Sequence, residues 1–186
     1  DYYTYGGLPR ILTLSDEEAK ENYLKELYTK VYITDIKERH SVRSDAELKE
    51  LMEILASSIG SPTNPSKLKY INTLSKHYFT DMGVRNAILG FRQTEENHIM
   101  ENVIYNELRM RGYSVDVGVV ETRPVGEDGK RIRKQYEVDF VVNQGSQRYY
   151  IQSAFIMPTD AKERQESASL LNIDDTFKKI IVVKDH

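Results

Sequence analysis

Apolar residues in the first third of the chain recur at helical spacing. Leu24, Leu27, Tyr28 and Val31 share one face of a helix expected from about Asp16 to the mid-thirties. Ser15-Asp16-Glu17-Glu18 reads as its capping box, with Ser15 at the N-cap and Glu18 three positions on. A second box, Ser44-Asp45-Ala46-Glu47, opens an amphipathic helix with Leu48, Leu51, Met52 and Leu55 inward, and the Gly60 to Ser66 run ends it. His77 to Thr80 reads as a short strand, Asp81-Met82-Gly83 as a turn, and Val84 to Leu89 as a short helix closed by Gly90. Thr94 caps a long helix from Glu95 to about Arg111, with Gly112 in the position that glycine favours past a helix end.

The period then changes from helical to alternating. Val115 to Val120 predict a strand, Gly126 to Gly129 a turn, and Tyr136 to Phe155 a β-hairpin about Gly145. In its first strand Val138, Phe140 and Val142 share one face, and Glu137, Asp139 and Val141 share the other. In its second strand Tyr150, Gln152 and Ala154 share a face. Asp160 to Leu171 reads as a polar helix and Lys179 to Val183 as a buried final strand. From Glu95 onward the order is helix, three strands, helix, strand, and the last crossover suits a parallel pair. The fold class is α+β.

Composition narrows the chemistry. The 186 residues carry 30% charged positions and a net charge of −3, so nucleic-acid binding needs a local patch rather than a global field. Cysteine is absent, which excludes disulfides, thiolate metal sites and a thiol nucleophile. No apolar run approaches a membrane span, and no membrane partner is expected. Gly6-Gly7-Leu8-Pro9 reads as a turn or helix-entry signal and not as a phosphate loop. His40, His77, His98 and His186 show no metal-ligand spacing. The chain opens at Asp1 without Met, as expected of a fragment of something longer.

Two acids stand out. Glu101 lies in register with Ile104, Tyr105 and Leu108, against an apolar face where an unpaired charge is costly. Asp139 sits mid-strand, where Asp is disfavoured. Together they could hold Mg²⁺ through oxygen ligands and stabilise charge on a phosphodiester. The alternative leaves Glu101 at the helix rim and pairs Asp139 with Arg148 or Arg133. A basic run, Lys130-Arg131-Ile132-Arg133-Lys134, enters the Asp139 strand and could contact phosphates; Glu127 and Asp128 could instead balance it at a solvated strand end.

Gly6-Gly7-Leu8-Pro9, Tyr78 to Gly83, Glu101-Asn102 with Asn106-Glu107-Leu108, and Glu137 to Phe140 resemble, in that order, the C-terminal region of bacterial and archaeal AAA-type ATPases. The resemblance implies a helical part at 1–68, a truncated winged-helix and ATPase-linking region, then a connector at 69–94. A restriction-endonuclease-like α-β-β-β-α-β domain with a mixed sheet follows at 95–186. It implies that Glu101 and Asp139 retain the family's acids, while Gln152 stands where its Glu belongs and Ala154 where its Lys belongs. Losing a positioned electrostatic group costs roughly two to three orders of magnitude in rate. The expected function is therefore a non-catalytic interaction or nucleic-acid-sensing region with a degenerate nuclease-like site, in the cytoplasm. The alternative is a Mg²⁺-dependent DNA endonuclease using Glu101, Asp139 and Gln152, with Arg148, Lys162 or Gln165 replacing the missing Lys. ATP belongs to an ATPase domain outside these residues. DNA, that ATPase domain and a homo-oligomer are the expected partners. In the family a winged-helix segment separates Leu68 from Lys69; here the two are adjacent.

Overall fold

The computed structural model describes residues 1–40, 44–61, 76–92, 95–125, 129–157 and 159–184. The Leu68-Lys69 junction and Thr94 lie outside the described residues. The chain divides into two compact units, Asp1–Val103 and Ile104–His186, with the division inside a helix and downstream of the expected domain start at Glu95. The class is α+β, with helices first and a mixed sheet after them.

In the first unit, α1 (Tyr2–Tyr5) leads through a 3₁₀ turn at Pro9–Thr13 to α2 (Glu17–Leu27). Asp16, and not Ser15, is the N-cap of α2; its carboxylate accepts from the Ala19 amide at 2.7 Å. Either neighbour could cap, and the charged oxygen forms the stronger bond to the positive helix end. The helical path continues past the mid-thirties through a π-helical stretch, Tyr28–Ile33, into α3 (Thr34–His40). The wider turn rotates the apolar stripe, so Ile33 is buried at 5% exposure and Val31 lies out at 52%. Ser44 caps α4 (Asp45–Ser57) through the Glu47 amide, as its box predicts. Leu48 and Ala56 of α4 are buried, whereas Leu51 is exposed.

His77 makes only an isolated parallel bridge to Ile59 in place of the expected strand. Asp81 is no turn residue: it caps α5 (Met82–Ile88), accepting from the Val84 amide at 3.0 Å with one oxygen. Its other oxygen takes the Gly7 amide at 2.8 Å, 74 positions away in sequence. Every residue of α5 is buried. Arg85 donates to the Ala56 carbonyl at 2.8 Å and to the Asn86 side chain at 3.1 Å. Burial pushes its pKa down, opposed by Glu95. Asn86 donates to the Tyr3 and Thr4 carbonyls, which ties α1 to α5. Leu24, Tyr28, Ile33, Leu48, Val84 and Ile88 build the main core of this unit.

Helix α6 (Glu96–Met110) ends in the second unit, where Gly112 at φ 83° lets the Tyr113 amide reach the Leu108 carbonyl at 3.1 Å. The strands are β1 (Ser114–Thr122), β2 (Lys134–Gln144), β3 (Gln147–Ala154) and β4 (Lys178–Val183), in sheet order β1-β2-β3-β4. The first two pairs are antiparallel and β3–β4 is parallel, reached through α7 (Asp160–Leu171). Gly145, at φ 60°, and Ser146 form the two-residue loop between the paired Gln144 and Gln147. Val138, Phe140 and Val142 are buried on their shared face. β4 is only half-buried, unlike the fully buried strand expected, because it is a sheet edge.

Two glycines separate helix propensity from packing. A Cβ on Gly83 in α5 would lie 2.1 Å from the Tyr5 carbonyl oxygen, whereas one on Gly145 meets nothing within 4 Å. Alanine is the better helix former by about 1 kcal/mol, yet backbone overpacking costs about 1–3 kcal/mol, so sterics decide the sign. Gly83→Ala is expected to destabilise the protein more than Gly145→Ala, whose cost is the positive φ alone, about 1 kcal/mol. Urea unfolding of both variants measures the order.

Candidate functional site

Asp139 sits where the sheet divides. Pairing between β2 and β3 stops at Phe140↔Ile151, while β2 stays paired with β1 to Thr122↔Lys134 and β3 with β4 to Ala154↔Val183. Backbone groups facing the opening need other partners, since a buried amide left unsatisfied costs about 1–3 kcal/mol. Asp139, only 7% exposed, supplies one: Oδ2 accepts from the Ser153 amide at 2.8 Å and from the Ser153 hydroxyl at 3.0 Å. Gln152 supplies the reciprocal bond, its Oε1 accepting from the Asp139 amide at 3.4 Å and from the Ser169 hydroxyl of α7 at 3.3 Å. The two side chains rebuild across the opening what the ladder no longer provides.

Ala154 is buried opposite Val183, where a small apolar residue packs. The cations named for Asp139 or for the missing Lys are held elsewhere. Arg133 is bonded to Glu121, Arg148 donates to Asn143 at 2.8 Å, and Lys162 is paired with Glu166. Gln165 is exposed. The basic run sits at the far end of β1 and β2, with Lys130, Arg131, Arg133 and Lys134 all exposed and Lys134 over the Tyr136 ring at 4.9 Å.

Glu101 belongs to the first unit. It is buried at 6% exposure rather than placed at a helix rim, and its Oε1 accepts from Lys76 Nζ at 2.8 Å and Tyr78 Oη at 2.7 Å. The Lys76 side chain is itself 4% exposed. Next to it Asn102, fully buried, both accepts from the Phe79 amide and donates to the Phe79 carbonyl at 2.7 Å, as a neighbouring strand would. Sequence reasoning asked for a partner for Glu101, whether a cation, a metal or a backbone donor, but could not find Lys76, 25 positions upstream, nor Ser153 for Asp139. The only signal for Lys76 is that it precedes the Tyr78–Gly83 motif. The expected metal-binding set is thus distributed between the units, and the structure joins Asp139 with Gln152.

A further cluster fixes the loop before β4. Tyr150 donates to Asp175 Oδ2 at 2.6 Å, the Phe177 amide bonds Asp175 Oδ1 at 3.1 Å, and Lys179 donates to the Asp175 carbonyl at 2.7 Å. The Tyr150 bond, then the Phe177 amide and the Lys179 and Arg148 charges, hold the Asp175 carboxyl below its usual range; burial opposes them. Burial and Asp175 together push the Tyr150 hydroxyl up.

Comparison with known proteins gives a partial context. A family model described as a domain of unknown function (DUF8612) matches residues 1–73. An uncharacterized protein of Haemophilus influenzae is 26% identical over 222 residues, covering 98% of this chain and 51% of its own length. An uncharacterized protein of Methanocaldococcus jannaschii is 27% identical over 227 residues, covering 100% of this chain and 49% of its own length. The chain spans about half the length of these curated relatives. Both alignments are longer than the 186-residue chain, so the relatives carry residues without counterparts here. No solved structure matches.

Two outcomes test the polar clusters. Glu101→Leu strips a buried ammonium of its carboxylate and is expected to cost about 3–5 kcal/mol, while Lys76→Met with Glu101→Leu costs distinctly less; a double-mutant cycle by denaturant unfolding measures the coupling. For Asp175 the folded pKa is depressed, so its contribution is full above the ordinary value of 3.8 and is lost as pH falls through the lower folded value. The Tm difference between wild type and Asp175→Asn, scanned through the acid range, is expected to vanish at the acid end.

Proposed function

We propose that these residues form a non-catalytic interaction or nucleic-acid-sensing C-terminal region of a longer AAA-type ATPase, acting in the cytoplasm, with a nuclease-like sheet whose site has become structural. The observation that carries the reading is the exchange at the sheet opening. Asp139 spends Oδ2 on the Ser153 amide and hydroxyl, and Gln152 spends its oxygen on the Asp139 amide and the Ser169 hydroxyl. A hard divalent cation wants several charged or carbonyl oxygens turned toward one point. An oxygen already engaged by donors of the neighbouring strand or of α7 is a poorer ligand, and Gln152 brings no negative charge. Ala154, buried against β4, supplies neither proton transfer nor charge to a reaction.

The relatives support the larger frame only in length: they are about twice as long as the matched region, which leaves room for a separate domain that could bind ATP. Their additional aligned residues are compatible with a winged-helix insertion of the sort that the adjacent Leu68 and Lys69 lack.

Incubation with supercoiled DNA and Mg²⁺ or Mn²⁺ tests the reading, with Asp139→Asn as control. The expected result is intact supercoiled DNA for both proteins. Metal-dependent nicking that disappears in Asp139→Asn would overturn it and establish the endonuclease instead.

A further inference from the structure

Beyond Thr122 and before Lys134 the β1–β2 pair continues as a two-stranded arm. Val125 bridges Arg131 in antiparallel fashion, and the Ile132 amide donates to the Pro124 carbonyl at 2.9 Å. Every described residue from Arg123 to Gln135 is exposed. Two large apolar side chains are among them, Val125 at 64% and Ile132 at 56% exposure. Burying neither in a core forgoes about 1.5–3 kcal/mol for each side chain, so an arm of this composition gains by finding something to cover them.

Charge says what that cover is. Between Glu121 and Gln135 the sequence holds five cations, Arg123, Lys130, Arg131, Arg133 and Lys134, against Glu121, Glu127 and Asp128, in a chain whose net charge is −3. Glu121 pairs with Arg133, with side chains 40% and 63% exposed, and Lys134 rests over Tyr136. Ion pairs this exposed are worth about 0–1 kcal/mol, little against exchange for a phosphate. The Val125–Arg131 pairing sets Val125 on one face with Arg123, Arg131 and Arg133, and Ile132 on the other with Lys134; arginines around one exposed apolar side chain fit a polyanion that also presents apolar groups.

We infer that the arm formed by Arg123–Val125 and Gly129–Lys134 binds duplex DNA, with the ribbon lying in the major groove. The inference rests on the interaction reading above and names its partner. The major groove admits a two-stranded β-ribbon and offers thymine methyl groups to apolar side chains. Val125 meets those methyl groups, while the arginines on its face and the lysines at the ribbon's edges take phosphates along the groove. Phosphate neutralisation supplies most of the affinity and makes it salt-dependent.

The test is fluorescence anisotropy of a labelled duplex DNA with the full chain, across a salt series, beside single-stranded DNA and duplex RNA. Four phosphate contacts weaken binding by roughly 100-fold between 50 and 200 mM salt. Arg131→Ala is expected to reduce affinity several-fold and lower the salt slope by about 1. Val125→Ser is expected to reduce affinity with the slope unchanged. Both positions are exposed, so circular dichroism and Tm should stay at the wild-type values. Absence of duplex binding at low salt, binding indifferent to both variants, or equal preference for single strands or duplex RNA would overturn the inference. Nicking by the Asp139-dependent route would sink the non-catalytic reading while leaving the arm's DNA binding to be judged by these titrations.

Discussion

Buried backbone groups that fall outside a regular helix or ladder must still be hydrogen-bonded, and side chains do that work throughout this protein. Asp81 joins the Gly7 amide to the start of α5 with its two oxygens. Asn102 pairs with both backbone groups of Phe79, and Asn86 collects two carbonyls from the end of α1. In the second unit Asp139 and Gln152 answer the amides at the sheet opening in the same manner. Each is a polar residue in a position where burial would be costly without such a task.

The buried Lys76–Glu101 ion pair follows a different logic. Lys76 and Glu101 are both nearly excluded from water, and removing two charges from water offsets much of their attraction. Tyr78 adds a donor to the same carboxylate oxygen, which helps hold the charge in place. The pair therefore specifies how the Lys76–Gly83 segment docks on α6 more than it adds net stability. That segment then sets α5, whose Arg85 and Asn86 reach back to α4 and α1.

In the second unit polar side chains occupy the place where the β2–β3 pairing ends. The sheet opens beside an acid on β2, and one oxygen of that acid accepts from the amide and hydroxyl of Ser153. Functional interest moves along the same two strands to the exposed arm, where cations and apolar side chains lack any role in the core.

The sequence by itself determined what local contacts govern: the Ser44 cap, the span of α7, the Gly112 helix end, the Gly145 loop and the alternation that buries Val138, Phe140 and Val142. Their causes lie within a few residues, so periodicity and capping chemistry carry them. It also marked Glu101 and Asp139 as acids needing partners. Only the tertiary structure decided which partners these are, because Lys76 lies 25 positions from Glu101 and Ser153 lies 14 from Asp139. The π-helical stretch that turns Ile33 inward, and Asp81 as a cap bonded to Gly7, were likewise set by packing. In each case two locally acceptable answers differ by little, and contacts from distant chain segments select between them.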